Sequence, residues 1–301
     1  MEYIPYEEYR QLVKEKLNTQ LLWKDPYNEL RKFTRLWFAS FREEMLLRQF
    51  ETSYILSEVT QHYPAIKEWV FERLKGANLF RAISEERIKS ITKTLPEWEG
   101  WAKFVPGIGE LSFGKLLGII GNPAARAYPS NLWRFCGLAV TSDGTLEKPK
   151  KGEKATYCRK AKSQLWLITS NILRVYPRSP SFYGVYYYVW RERYTANRQN
   201  WTPLHCHLAA VIKVAKLFIS HLWEVSRRAQ GLPVPRPYPI EFLNHKTIFP
   251  YTVALHPVKA RKEVIDAIES VKEWLAVEED QGVAEISKEI VEEIEKILQR
   301  R

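Results

Sequence analysis

A Pro-Gly-Ile-Gly stretch at 106–109 is the tightest constraint on how this chain can fold. Pro106 lacks the amide proton that would continue a helix, and Gly107 and Gly109 allow a tight turn with positive φ. Helical patterns flank the stretch at 96–103 and 110–120. The sequence therefore predicts a helix-hairpin-helix module, whose bare amides at the start of the second helix bind a phosphate without reading bases.

The residues beside the turn support two interpretations. In the first, the turn contacts a phosphate, and Lys103 and Lys115 lie nearby as further nucleic-acid-binding residues. In the second, the turn only joins two packed helices. Gly114 and Gly118, four residues apart, favour close packing in either case because they fall on one helix face.

Hydrophobic residues recur at helical spacing through most of the chain. The patterns predict helices over 6–17, 26–50, 63–75, 84–94, 155–175, 181–198 and 203–229. Ser84, followed by two glutamates, is expected to start the helix 84–94. An Asp143-Gly144 turn signal predicts a short β-hairpin or an ordered loop near 138–157. We therefore expect a mainly α, multi-segment helical fold.

Changes in composition predict four regions. Residues 1–95 form an N-terminal helical region, and 96–230 combine the helix-hairpin-helix with a basic helical domain. A Pro-rich linker follows at 231–258, where "GLPVPRPYP" is typical of extended chain. Two amphipathic patterns in 259–301 predict a helical hairpin through which the protein could form a homo-oligomer.

Composition argues against a disulfide scaffold and against a membrane span. Three scattered cysteines in 301 residues are typical of a reducing compartment. The first residues lack the apolar core of a signal peptide, and no run reaches the roughly 18 apolar residues of a spanning helix. We therefore expect a cytoplasmic protein with no membrane partner.

The net charge of +11 is concentrated in one segment. Residues 146–236 carry 17 basic and 4 acidic side chains, whereas 257–301 carry 8 basic and 12 acidic ones. A segment with so large an excess of cations attracts polyanions, and DNA or RNA is the expected partner. The alternative is a solvated basic surface. Besides Gly107, Gly109, Lys103 and Lys115, the predicted nucleic-acid-binding residues are Lys148, Lys150, Lys151, Lys154, Arg159, Lys160, Lys162, Arg191 and Arg193.

Aromatic residues interleave with these cations in "FYGVYYYVWRERY" at 182–194. At helical spacing, Tyr183, Tyr187 and Trp190 are expected to share one face, with Tyr186 and Tyr194 elsewhere. Some of these rings must be buried, because one helix cannot expose so many at no cost. The others could stack on bases.

From Phe104 onward, the order of features resembles a known family. The stretch "FVPGIGELSFGKLLGIIGNPAARAYPSNLWRFCGLAVTSDG", with the basic segment after it, resembles the C-terminal domain of Piv-like invertases and RNA-bridged insertion-sequence transposases. The resemblance covers about 100–230. It implies DNA recombination with Ser142 as the strand-exchange nucleophile. A hairpin-turn residue is the other interpretation of Ser142.

The resemblance does not extend to the first 100 residues. The family has a ribonuclease-H-like sheet with four metal-binding carboxylates in its N-terminal half, whereas this chain is predicted to be helical there. We therefore expect no cofactor, with Mg²⁺ needed only if the protein is a recombinase. No metal site is expected in "TPLHCH" at 202–207 either, because Thr202 and Pro203 start a helix on which His205 and His207 diverge.

Three hypotheses follow from the sequence. The first is a nucleic-acid-binding protein of a mobile element, plasmid or virus that holds the phosphate backbone, with DNA as the expected target. The second is a serine-dependent transposase or recombinase component acting on DNA. The third is an RNA-binding or structural helical assembly protein.

Overall fold

The computed structural model describes residues 25–52, 61–140, 146, 149, 151–176, 178–179 and 181–235. The helices with their bounds are α1 (Asp25–Glu51), α2 (Pro64–Lys93), α3 (Pro96–Gly100), α4 (Glu110–Ile120), α5 (Pro129–Phe135), α6 (Arg159–Val175), α7 (Phe182–Asn197) and α8 (Pro203–Ala229), with short 3-10 helices at Ala102–Phe104 and Pro123–Ala125. The mainly α fold is therefore confirmed.

Several predictions fall outside the described residues. They concern the helix at 6–17, almost all of the Pro-rich linker and the C-terminal hairpin at 259–301. Ser142, Lys148 and Lys150 also lie outside. Their roles stay predictions.

One long helix replaces the two predicted at 63–75 and 84–94. α2 runs without interruption from Pro64 to Lys93, and Ser84 is buried in its middle. The Ser84 hydroxyl donates to the Phe80 carbonyl oxygen at 2.7 Å instead of capping a new helix. The prediction of a helix start there was wrong, because a serine inside a helix can hydrogen-bond to the carbonyl four residues earlier.

α4 lies at the centre of the helix packing, with α1, α2 and α6 against it. Its two spaced glycines make this possible. A Cβ at Gly118 would lie 2.7 Å from the Leu30 carbonyl oxygen of α1, and one at Gly114 would lie 2.6 Å from Ile88 Cγ2 of α2. The close-packing interpretation of these glycines is therefore correct.

A single hydrophobic core joins the predicted N-terminal region to the basic region. The cluster includes Leu30 of α1, Ile88 of α2, Leu117 of α4, Ile168 of α6 and Phe218 of α8. Residues on both sides of the boundary predicted at 95/96 thus pack into the same interior.

α1 and α2 form an antiparallel hairpin that is tied by ion pairs. Glu44 of α1 is buried and pairs with Arg81 of α2, and its other oxygen lies 3.0 Å from Arg48 Nε. Glu43 pairs with Arg73. The hairpin therefore uses its own acidic residues to neutralise many of its cations, unlike the segment that follows.

A buried arginine fixes the end of α8. Arg227 is fully buried, with Nε donating to the Pro233 carbonyl oxygen at 2.9 Å and Nη1 donating to the Ala124 carbonyl oxygen at 3.0 Å. It holds the chain after α8 against the 3-10 helix that follows α4. At least one cation of the basic segment is therefore structural.

The predicted β-hairpin is reduced to one contact in the described residues. Val140 and Leu146 form an isolated antiparallel bridge. The turn between them, including Asp143 and Gly144, lies outside the described residues. The hairpin itself stays a prediction.

Candidate nucleic-acid interface

The glycine turn faces the interior at Gly107 and the surface at Gly109. Gly107 has a φ of +88°, and a Cβ there would lie 2.7 Å from the Asn171 carbonyl oxygen and 2.8 Å from Ile172 Cα of α6. Gly109 is exposed, has an extended φ of −114°, and has open space around a Cβ. Packing therefore requires a glycine at position 107 but not at position 109. The helix before the turn is short, since α3 ends at Gly100 and a 3-10 turn follows.

The amides at the start of α4 are partly used by its own side chains. The Gly109 amide donates to Ser112 Oγ at 3.3 Å, and the Ser112 hydroxyl donates to the Gly109 carbonyl oxygen at 2.9 Å. The Glu110 carboxylate follows directly and lies 3.8 Å from Lys93 Nζ. The negative charge of Glu110 interacts favourably with the helix dipole but repels a phosphate at the same place. Phosphate binding at the turn stays a prediction.

The two lysines expected beside the turn are both engaged elsewhere. Lys103 Nζ lies 2.6 Å from the Glu99 carboxylate. Lys115 is only 7% exposed, and its Nζ sits 3.7 Å from the centroid of the Trp37 ring. Burial lowers the pKa of Lys115, with Glu85 opposing that shift. Neither lysine presents an unpaired ammonium to the turn, and their contact with a phosphate stays a prediction.

Cations gather instead where the end of α5 meets the start of α6. The Cys158 amide donates to the Phe135 carbonyl oxygen at 2.9 Å and joins the two helices. The Arg126 guanidinium carbon lies 5.4 Å from the Phe135 ring, and Lys162 Nζ lies 4.6 Å from the Tyr157 ring. Arg134 near the end of α5 is exposed, as are Arg159 and Lys160 at the start of α6.

α8 extends this group of cations. Lys216 Nζ lies 5.5 Å from the ring of Trp133 of α5, and Lys213, one turn earlier, lies 4.1 Å from the ring of Trp190 of α7. The Arg193 guanidinium carbon also lies over Trp190, 5.0 Å from the centroid of that ring. We call the cations on or next to α5, α6 and α8 the basic surface, and they are Arg126, Arg134, Arg159, Lys160, Lys162, Lys213 and Lys216.

The lysines of α8 are half-buried without an acidic neighbour. Burial, Lys216 and Arg193 all lower the pKa of Lys213, and burial lowers the pKa of Lys216. Within the described residues, neither lysine forms an ion pair. A desolvated cation with no partner is costly, and such groups cluster at binding sites.

Acidic residues are absent from the sequence that builds most of this surface. The chain has no Asp or Glu between 111 and 142, and none between 154 and 191. Few carboxylates of these segments therefore compete with an external anion for the cations.

Three more predicted cations lie in the chain before α6 and on α7. Lys151 and Lys154 are exposed in the chain before α6, and Arg191 is exposed on α7. Arg191 lies close enough to His207 to lower its pKa further, after burial as the larger cause.

The aromatic residues of α7 divide into two rows. Tyr183 and Tyr187 face α8, where their hydroxyls hydrogen-bond with His221 Nδ1 at 2.7 Å and His207 Nδ1 at 2.6 Å. Trp190 belongs to the other row, with Tyr186 and Tyr194 at 6.2 Å and 5.5 Å between ring centroids. The prediction that Trp190 shares a face with Tyr183 was wrong, because Trp190 packs on the rings four residues before and after it.

The histidines at the start of α8 have separate packing roles. The Thr202 hydroxyl oxygen accepts from the His205 amide at 3.2 Å, so the predicted helix start is correct. The His205 ring stacks on Trp201 with centroids 4.0 Å apart, whereas His207 contacts Tyr187. In the described part of the chain, no three His, Cys, Asp or Glu side chains are grouped to hold a metal.

The nucleic-acid-binding residues predicted from the sequence did not include Arg126, Arg134, Lys213 and Lys216. The available signal was the absence of acidic residues on both sides of residue 150, rather than the density of basic ones. Which rings Lys213 and Lys216 cover could not be read from the sequence, since it depends on how α8 packs against α7 and α5.

Comparison with known protein families and with curated proteins finds no match for this chain. The resemblance to Piv-like invertases and RNA-bridged transposases stays a prediction. No helix in the described ranges is long and apolar enough to cross a membrane.

Proposed function

We propose that the protein binds the sugar-phosphate backbone of nucleic acid through the basic surface. The supporting observation is the pair of half-buried lysines on α8, Lys213 and Lys216, which have no acidic partner among the described residues. Phosphate oxygens are the natural partners of such ammonium groups. DNA of a mobile element, plasmid or virus is the expected target, on the strength of the resemblance.

The aromatic residues beneath the cations support a binding role over simple solvation. Lys213, Lys216, Lys162 and Arg126 each lie over a ring, which limits how far their charged ends can move. Cations held in place lose less conformational entropy when they bind a phosphate. A surface that only contacts water does not require its cations to be held in place.

Binding to the basic surface gives a steep dependence on salt. If about five of its seven cations meet phosphates, the logarithm of the affinity falls against the logarithm of salt concentration with a slope of about −4 or steeper. The measurement is fluorescence anisotropy with the full chain and a short random-sequence DNA duplex. A slope near zero, or no binding at low salt, would contradict the proposal.

A parallel titration with an RNA duplex distinguishes the DNA and RNA versions of the proposal. Phosphates dominate both complexes, so both slopes are expected to be steep. A tighter complex with the A-form duplex at every salt concentration would assign the surface to RNA.

A further inference from the structure

An open groove lies between α1 and the first turn of α6, next to the basic surface. Its cavity has a volume of about 540 Å³. Its lining residues share a pattern of cations set among apolar side chains and comprise Arg35, Phe38, Ala39, Arg42, Glu43, Leu46, Leu47 and Lys160. Ligand sites in proteins commonly have this size.

Three cations of the groove have no acidic partner among the described residues. Arg35 and Arg42 are exposed and lie two helical turns apart, about 10 Å along α1. Lys160 faces them from α6, with its Nζ 4.9 Å from the Phe38 ring. The one acidic lining residue, Glu43, is paired with Arg73. The groove therefore carries a net positive charge.

The floor of the groove is apolar and partly open to solvent. Leu46 is 56% exposed, and Phe38 and Leu47 are half-buried beside it. A duplex backbone offers phosphates to the cations but gives the apolar floor little to cover, because its bases are stacked inside the helix. A strand with unpaired bases offers both kinds of contact.

We propose that this groove binds single-stranded nucleic acid, with phosphates on Arg35, Arg42 and Lys160 and a base against Phe38 and Leu46. The inference rests on the proposed function, because Lys160 belongs to both the groove and the basic surface.

The test compares variants in the groove with matched variants outside it. Leu46→Ser removes the apolar contact, and Leu79→Ser on α2 is its control, since Leu79 is 60% exposed and outside the groove. Arg42→Gln removes a cation, with Lys67→Gln on α2 as its control. The probes are labelled oligothymidine and a random DNA duplex of equal length.

Both groove variants are expected to bind oligothymidine about tenfold more weakly and to leave duplex affinity within about twofold of the original. The two controls are expected to change neither affinity. Equal loss for both probes, or no loss in either groove variant, would overturn the inference while leaving the proposed function in place. Absence of binding to both probes by the unmodified chain would overturn both. Displacement of oligothymidine by a Glu- and Leu-rich helical peptide, with tighter binding of that peptide, would instead assign the groove to a protein partner.

Discussion

Gly107→Ala lowers the free energy of unfolding by about 3 kcal/mol or more, whereas Gly109→Ala changes it by less than about 0.5 kcal/mol. At Gly107 the positive φ alone costs an L-residue roughly 1–2 kcal/mol. The added Cβ would also press on the backbone of α6 at Asn171 and Ile172. Backbone atoms cannot rotate away as a side chain does, so the glycine turn and α6 must move apart.

Urea denaturation followed by circular dichroism measures both variants against the original chain. Gly109→Ala is the matched control, because it lies two residues away in an extended conformation with open space around it. Equal stability of the two variants would show that Gly107 does not pack on α6. Since Gly109→Val is also expected to fold, its affinity for a DNA duplex then tests the predicted phosphate contact at the turn separately.

Replacing both half-buried lysines of α8 by glutamine, Lys213→Gln with Lys216→Gln, weakens duplex binding by about a hundredfold. Each charge-assisted contact to a phosphate contributes roughly 1.5 kcal/mol, and 1.4 kcal/mol corresponds to about tenfold in affinity. The salt slope becomes shallower by about 2, because two fewer counterions are released. Glutamine keeps most of the side-chain length over the Trp190 and Trp133 rings.

The control is the double variant Lys67→Gln with Lys75→Gln, which removes the same charge from exposed positions on α2. It is expected to bind within about twofold of the original chain. Equal weakening by both pairs would mean that only net charge matters. Circular dichroism of both variants establishes that the helices are retained.

Most helices could be predicted from the sequence because their signals are local. The pattern at 26–50 became Asp25–Glu51, the pattern at 110–120 became Glu110–Ile120, and Thr202 with Pro203 starts α8 as predicted. Each depends on apolar periodicity or on a cap that acts within one turn. The prediction at Ser84 failed because a serine can either cap a helix or hydrogen-bond to a carbonyl inside one. Only the full extent of α2 distinguishes the two.

The tertiary contacts of Gly107 and Lys115 could not be predicted, since both depend on distant segments. Gly107 meets Asn171 of α6, more than sixty residues later, and Lys115 lies over Trp37, more than seventy residues earlier. A lysine next to a predicted anion site therefore turned out to be half of a cation–π contact. The segment-wise charge excess was visible in the sequence, but the contact of Lys216 with Trp133 was not.

The most direct test of the basic surface is lysine modification in the presence and absence of a DNA duplex. The full chain is acetylated briefly under both conditions, and each lysine is quantified by mass spectrometry. We expect the duplex to protect Lys160, Lys213 and Lys216 at least about fivefold, while Lys67 and Lys75 react equally in both samples. If the duplex leaves the reactivity of all five lysines unchanged, or protects Lys67 and Lys75 instead, nucleic acid does not bind at the basic surface.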